Sequence, residues 1–209
     1  MGAGGHATSV AEIVTACGFE LIAFVSENSE SEMLLDRPVL NSIPQSHTAD
    51  GGMFALGIGD NQSRERVMLT LLNEIDPERF PFFVHPSASV SSFAKIGFGT
   101  VVLQGAIVAS AATIGIGCLL NSSSVTEHEC IVGDFASIAP NATLGGRVTV
   151  GARSAISMGA SVKHGITIGS DSVIGAQSYV NENISNGVVV YGIPARFQRE
   201  RLSTDPYLT

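Results

Sequence analysis

The 209-residue sequence has no tryptophan, only three cysteines, and charged side chains at just 14% of its positions. Cys17, Cys118 and Cys130 show no metal-ligand spacing, and their odd number fits free thiols in a reducing cytosol. Basic residues are scarce, eleven Lys and Arg against nineteen Asp and Glu, which leaves a net charge of -8. No basic run occurs anywhere, which argues against nucleic acid or a polyanionic membrane as a partner. No apolar run reaches ~18 residues and no basic-then-apolar leader opens the chain. No membrane insertion is therefore expected, and the expected location is cytoplasmic.

The charge that is present is uneven. Sixteen of the charged residues precede Val84, nine lie between Val84 and Ser185, and five follow. The charge-poor middle repeats every six residues, with first places Val84, Val90, Ile96, Val102, Val108, Ile114, Leu120, Thr126, Val132, Ile138, Leu144, Val150, Ile156, Val162, Ile168, Ile174 and Val180. Only Thr126 is not aliphatic. The fifth place is Ala, Ser, Thr or Cys except at Val148, Ile166 and Ile184, and Gly is frequent in the second, as at Gly97, Gly115, Gly133, Gly151, Gly169 and Gly175.

A period of six matches neither helix nor free strand, so it describes a larger unit that stacks on itself. Three hexads forming three short strands around a triangular coil would set each aliphatic over the one eighteen residues earlier, about 4.8 Å away. Small fifth places would fit the corners and glycine would tolerate the turns. This pattern resembles the hexapeptide signature of the left-handed parallel β-helix acyltransferases. The left hand is implied by that resemblance, not by the spacing.

Ahead of the repeat, Gly2-Ala3-Gly4-Gly5-His6 opens a helical pattern that Gly18 ends. Glycines at a helix N-terminus let backbone N–H groups approach a phosphate, although the same residues fit an ordinary helix-opening turn. A strand from Phe19 to Val25 would deliver Glu27 about 22 residues past the glycines, near the spacing of a ribose-binding acid in Rossmann-like units. A strand from Met53 to Gly59 and a helix from Asn61 to Ile75 continue the alternation. Only Met1 precedes the glycines, so the strand that should come first is missing. The expected order is a truncated Rossmann-like α/β domain (1–83), the β-helix (84–185), and a cap and tail (186–209), the tail from Phe197 having no readable task.

Thr126 opens the hexad Thr126-Glu127-His128-Glu129-Cys130-Ile131, which concentrates charge in a solenoid otherwise poor in it. A neutral imidazole suits a general base, and Glu129 can orient the ring. Read on its own, His128 fits an outward-facing turn residue nearly as well. Gly146 and His164 stand eighteen and thirty-six residues beyond His128 and share its place in the hexad, so they should stack above it. A glycine directly over the base leaves its N–H open as an oxyanion donor.

Asn121, Glu127-His128-Glu129-Cys130 and Gly133-Asp134, with the N-terminal Gly-x-Gly-Gly-His, resemble the nucleotide-sugar N-acetyltransferases that act on UDP-4-amino-sugars or GDP-perosamine, together with the sialic-acid O-acetyltransferase-like proteins. The resemblance implies His128 as base, Glu129 as its orienting acid and Gly146 as oxyanion donor, with Asn121 at the substrate. It implies nucleotide-sugar binding near Gly2, Gly4, Gly5, His6 and Glu27. Acetyl-CoA would run past Gly146 and His164 to a closing motif at Gly192 and Pro194, which also reads as a plain cap. His164 equally fits an exposed turn residue, and His85 and His47 suggest no role.

The resembling enzymes are homotrimers that need no metal. Ser137 stands where many of them have a second histidine, so the sugar is open, as is amine or hydroxyl as acceptor. A γ-class carbonic anhydrase needs histidines five apart, which are absent, and a sugar nucleotidyltransferase needs an N-terminal loop that is also absent. A non-catalytic nucleotide-sugar-binding module is the remaining alternative.

Overall fold

The computed structural model describes residues 1–27, 29–46, 51–202 and 204–205; His47 lies outside them. Helix α1, Gly5–Ala16, buries Ala7, Val10, Ala11, Ile13 and Val14. That spacing is the apolar face of a helix. Cys17 closes it and Gly18 follows with φ +84°. A small sheet combines β1 (Phe24–Val25), β2 (Met33–Leu34) and β3 (Arg37–Leu40), with β3 in the middle, parallel to β1 and antiparallel to β2. Helix α2, Asn61–Leu71, is capped by Asp60, which accepts from the Ser63 N–H at 2.8 Å.

Two expected strands are shorter or absent. Of Phe19 to Val25 only Phe24–Val25 pairs, and Met53 to Gly59 is extended without being a strand. The expected helix to Ile75 ends at Leu71. The reason for the lost strands is the neighbour between them, because a strand exists only through its partner's hydrogen bonds. Here that place is held by Met1 and Gly2. The Met1 ammonium donates to Ala55 O (2.6 Å), Gly57 N–H to Met1 O (2.7 Å), and Gly2 N–H to Val25 O (2.8 Å). Beyond them a slot of about 600 Å³ continues between Leu21–Val25 and Met53–Gly57, floored by Ala7, Val10, Ala11 and Val14 of α1.

The solenoid has seventeen two-residue strands, β4 (Phe83–Val84) to β20 (Tyr179–Val180), recurring every six residues. Each pairs in parallel with the strand eighteen residues away, as Val84 with Val102 and Leu120 with Ile138. Three flat sheets result. First-place side chains point inward and form one continuous core, with Thr126 among them at 0% exposure.

The glycines act differently from the expectation. Positive φ falls at the fourth place of every hexad from Gly99 to Gln177, and nine of those fourteen residues are not glycine. Second-place glycines have ordinary φ and meet a different demand, close approach between coils. A Cβ on Gly97, Gly115, Gly133, Gly151 or Gly169 would lie 2.3–2.7 Å from atoms of the next coil.

The first sheet carries the N-terminal domain. Its outward residues Phe83, Val101 and Leu119 pack beneath Val10, Ile13 and Val14 of α1. Arg64 of α2 is completely buried, its guanidinium donating to Ile58 O, Gly59 O and Asn61 Oδ1 at home and to Gly117 O and Phe135 O on the solenoid, at 2.7–2.9 Å. At the far end β21 (Val188–Gly192) extends the first sheet and β22 (Ala195–Glu200) pairs antiparallel to it. Phe197 to Glu200, expected as tail, are therefore strand. Arg201 is buried and bonds Asp171 O and Asp205 O. Among the described residues, no helix is long and apolar enough to cross a membrane.

Five alternating apolar residues joined ahead of Met1 should enter the slot as a strand and bury its walls, raising Tm by roughly 2–4 °C. An unchanged Tm in thermal melts would show that the slot admits no strand.

Candidate active site

β11 (Val125–Thr126) and β12 (Ile131–Val132) belong to the second and third sheets, and His128 stands on the turn between them. Glu129 occupies the fourth place with φ +59°. Its carboxylate lies 3.0 Å from His128 Nδ1, and both side chains are about half exposed, 50% and 56%. A carboxylate is acceptor-only when ionised, so it fixes the proton on Nδ1 and leaves the Nε2 lone pair free. Arg147 stands 3.9 Å from the same carboxylate.

Nε2 faces Gly146. Arg147 N–H donates to His128 O and Gly165 N–H to Gly146 O, both 2.9 Å, so His128, Gly146 and His164 stack in successive coils. A Cβ on Gly146 would lie 2.5 Å from His128 Nε2, so the ring keeps this position only over a glycine and would be pushed aside by any larger residue. Among the described residues the Gly146 N–H meets no acceptor. Thr126, by contrast, points into the core with its hydroxyl unpartnered, away from the corner where His128 stands.

Other expected site residues lie elsewhere. Asn121 is on the preceding corner, between the first and second sheets, with its amide donating to Ile138 O at 3.1 Å. Gly192, with φ +114°, donates to Ser178 Oγ (3.1 Å) on that same corner, beside the cis Ile193–Pro194 bond. One chain thus stacks His128, Gly146 and His164, with Glu129 beside the first, on one corner, and sets Asn121 on another, which Gly192 and Pro194 meet about three coils further along. His164 is exposed. Ser137 is buried at 5% exposure on the outer side of the first sheet, and His85 bonds Ser87 at the solenoid's open end.

In the N-terminal domain Gly2 has φ +100°, and a Cβ there would strike Gly57 O at 2.8 Å. Gly4 caps α1, and both Gly4 and Gly5 face open space. His6 follows with Nε2 buried and unpartnered. Burial, and then the charge of Arg64, push its pKa down to about 4. Glu27 is exposed at the end of β1.

Residues 1–71 match the family described as the PglD N-terminal domain. The whole fold superposes on PerB from Caulobacter crescentus, solved with CoA and GDP-perosamine, at a TM-score of 0.86 and 29% identity, covering 95% of each chain. The acetyltransferase domain of PglB from Neisseria gonorrhoeae FA1090, solved with acetyl coenzyme A, gives 0.86 and 29% over 94% of this chain and 96% of that one. With these proteins the chain shares its architecture, a parallel β-helix behind a PglD-type N-terminal domain. WeeI from Acinetobacter baumannii AYE shares the fold at 0.85 and 24% identity, over 94% and 97% of the two chains. Comparison with curated protein sequences gives no match.

Sequence reasoning missed Arg64, because its acceptors lie 53 and 71 residues away and a mid-helix Arg carries no local signal. It also missed Gly145, whose carbonyl accepts from Cys130 Sγ at 3.2 Å. The doublet Gly145-Gly146 breaking the hexad's usual single glycine was the available sign. Among the described residues no group of three or more His, Cys, Asp or Glu side chains could hold a metal ion.

The neutral His6 couples stability to acid. Because its folded pKa is about 4 against 6.5 in the unfolded chain, the unfolded state binds more protons between those values. Stability from this group is full above pH 6.5 and is lost as pH falls toward 4. Tm measured against pH should therefore drop through that window, and His6→Gln should flatten the slope; an equal slope in the variant would refute the assignment.

Proposed function

We propose that this protein transfers the acetyl group of acetyl-CoA to an amino group of a nucleotide-linked amino-deoxysugar. The observation that carries the reading is the His128 Nε2 lone pair held against the bare Cα of Gly146, with Glu129 behind the ring. Acetyl-CoA supplies a thioester carbonyl. His128 takes a proton from the acceptor amine as its nitrogen attacks that carbonyl carbon, and the C–N bond forms. The carbonyl π electrons move to oxygen, where the unpaired Gly146 N–H is placed to receive them. On collapse the C–S bond breaks, and the proton on Nε2 passes to the leaving CoA sulfur. Glu129 stabilises the intervening imidazolium without accepting its proton.

The N-terminal domain fits the nucleotide. Gly4 and Gly5 leave the positive end of α1 open, as a phosphate requires. His6 adds a neutral imidazole beside it. Supporting the reading, PerB was solved with both CoA and GDP-perosamine, also in forms with one histidine replaced by Asn or by Ala.

We infer a parallel homotrimer from the placing of these residues. The site residues fall on two different corners, and one chain cannot close them on each other. A neighbour rotated by a third of a turn can set its Asn121 and Gly192 corner against His128, a heterologous contact that closes into a ring. The second sheet is nearly uncharged outside, with Ile107 and Tyr179 exposed at 41% and 39%. Cytoplasmic residence agrees with three free cysteines among the described residues.

With acetyl-CoA and a panel of UDP-, GDP- and dTDP-linked 4-amino sugars, His128→Ala should lower kcat by ~10²- to 10⁴-fold and leave the sugar's KM nearly unchanged. Glu129→Ala should cost less, and Gly146→Ala should match the histidine loss by displacing the ring. Full kcat in His128→Ala would sink the mechanism. Sedimentation should give three times the 21.7 kDa chain mass; a stable monomer at micromolar concentration would exclude the shared site.

A further inference from the structure

The peptide joining Gly145 to Gly146 is held from inside the solenoid. Cys130 fills the fifth place of the hexad that carries His128 and is fully buried. Its thiol donates to Gly145 O, one coil up, at 3.2 Å. A trans peptide directs its C=O and N–H to opposite sides. The bond that draws the Gly145 oxygen inward therefore turns the Gly146 N–H outward, to the corner where His128 Nε2 stands. Burial pushes the Cys130 thiol up, which keeps it a protonated donor near neutral pH.

The same construction occurs twice at the corner between the third and first sheets, and there it holds an oxygen. Thr100 Oγ1 donates to Gly115 O at 2.8 Å, and the next N–H, that of Ile116, donates to Asp134 Oδ1 at 3.0 Å. Ser154 Oγ donates to Gly169 O at 2.6 Å, and the Ser170 N–H donates to Asn186 Oδ1 at 2.8 Å. Cys118 makes the same inner bond with a thiol, to Gly133 O at 3.2 Å, beneath Ala152, whose side chain carries no oxygen. At the His128 corner the residue above Gly146 is His164, whose side chain carries no oxygen. The fold thus builds an outward N–H that binds oxygen at ordinary hydrogen-bond distance, and at this corner leaves that place to a ligand.

We propose that Cys130 is a positioning residue for acyl transfer: through the Gly145 carbonyl, its thiol aims and polarises the Gly146 N–H that receives the thioester oxygen as charge gathers on it. The inference rests on the proposed acetyl transfer and adds a residue that touches neither substrate. Chained hydrogen bonds strengthen one another, so losing the inner bond weakens the outer one without removing it. The fold tolerates the change, because Ala112 and Val148 fill the same place one coil below and above.

Cys130→Ala, Cys130→Val and Cys130→Ser should be compared with wild type and His128→Ala, using acetyl-CoA and the amino-sugar panel. Ala and Val should lower kcat about three- to tenfold, well short of the ~10²- to 10³-fold loss typical when an oxyanion donor is deleted. Both KM values should stay within about twofold, and Ser should recover most of the rate by restoring a donor. In ¹⁵N-labelled protein the Gly146 amide proton should move upfield in Ala and return in Ser. Wild-type kcat in the Ala variant, a loss confined to KM, or no recovery in Ser would overturn the role. If wild type turns over and His128→Ala does not while Cys130→Ala is unaffected, only this role fails. If wild type acetylates no acceptor, the acetyl-transfer reading fails and this role with it, even where the amide shift still reports the inner bond.

Discussion

The constraint on which everything else depends is the hydrogen-bonded distance between successive coils. No strand in the solenoid is longer than two residues before Val188, so none could persist alone. Away from the two ends, each is held by the strand eighteen residues before and the one eighteen after, and stability is a property of the stack. That single spacing dictates the side chains at each place. The first place must be aliphatic to fill the column, the second must often lack a Cβ to admit the next coil, and the fourth must take positive φ to turn the corner. The meeting of His128 with Gly146 is the same arithmetic applied to the two residues proposed to do chemistry instead of packing.

The N-terminal domain uses the solenoid in place of a sheet of its own. Its central strand position holds only Met1 and Gly2, and its core is completed by Phe83, Val101 and Leu119 on the first sheet. Arg64 fastens the two parts with a charge that is fully buried, which is tolerable because five oxygens surround it. Burial, aided by the same charge, holds His6 neutral at the mouth of the glycine turn. Domain docking and the electrostatics of the proposed nucleotide end are therefore one arrangement.

The solenoid was legible because its rule is local and repeats: Val84 to Val180 announces itself at every sixth residue. The stacking of His128, Gly146 and His164 was legible for the same reason. The second-place glycines were visible, but their purpose was not, since nothing in the sequence separates a demand on φ from a demand on space. Phe19 to Val25 and Met53 to Gly59 have strand composition, yet strand formation depends on the partner, which the segment does not contain. Thr126 drew attention to the hexad of His128 by its polarity, yet its hydroxyl faces the core, away from that histidine. Asn121 and His128 fall in consecutive turns, so their separation onto two corners could be counted from the sequence itself.

The Arg64 clasp has a consequence for how the chain becomes folded as it leaves the ribosome. The N-terminal domain is made first, but two of the oxygens that its buried guanidinium requires belong to Gly117 and Phe135. Until Phe135 has emerged, the Arg64 guanidinium keeps water in place of two of its acceptors and cannot be buried, and until Leu119 has emerged α1 lacks part of its apolar floor under Val10, Ile13 and Val14. The first-made third of the molecule thus acquires its final structure only after nearly three coils of solenoid exist to receive it. Synthesis runs from the N-terminus, while consolidation runs outward from the middle of the chain.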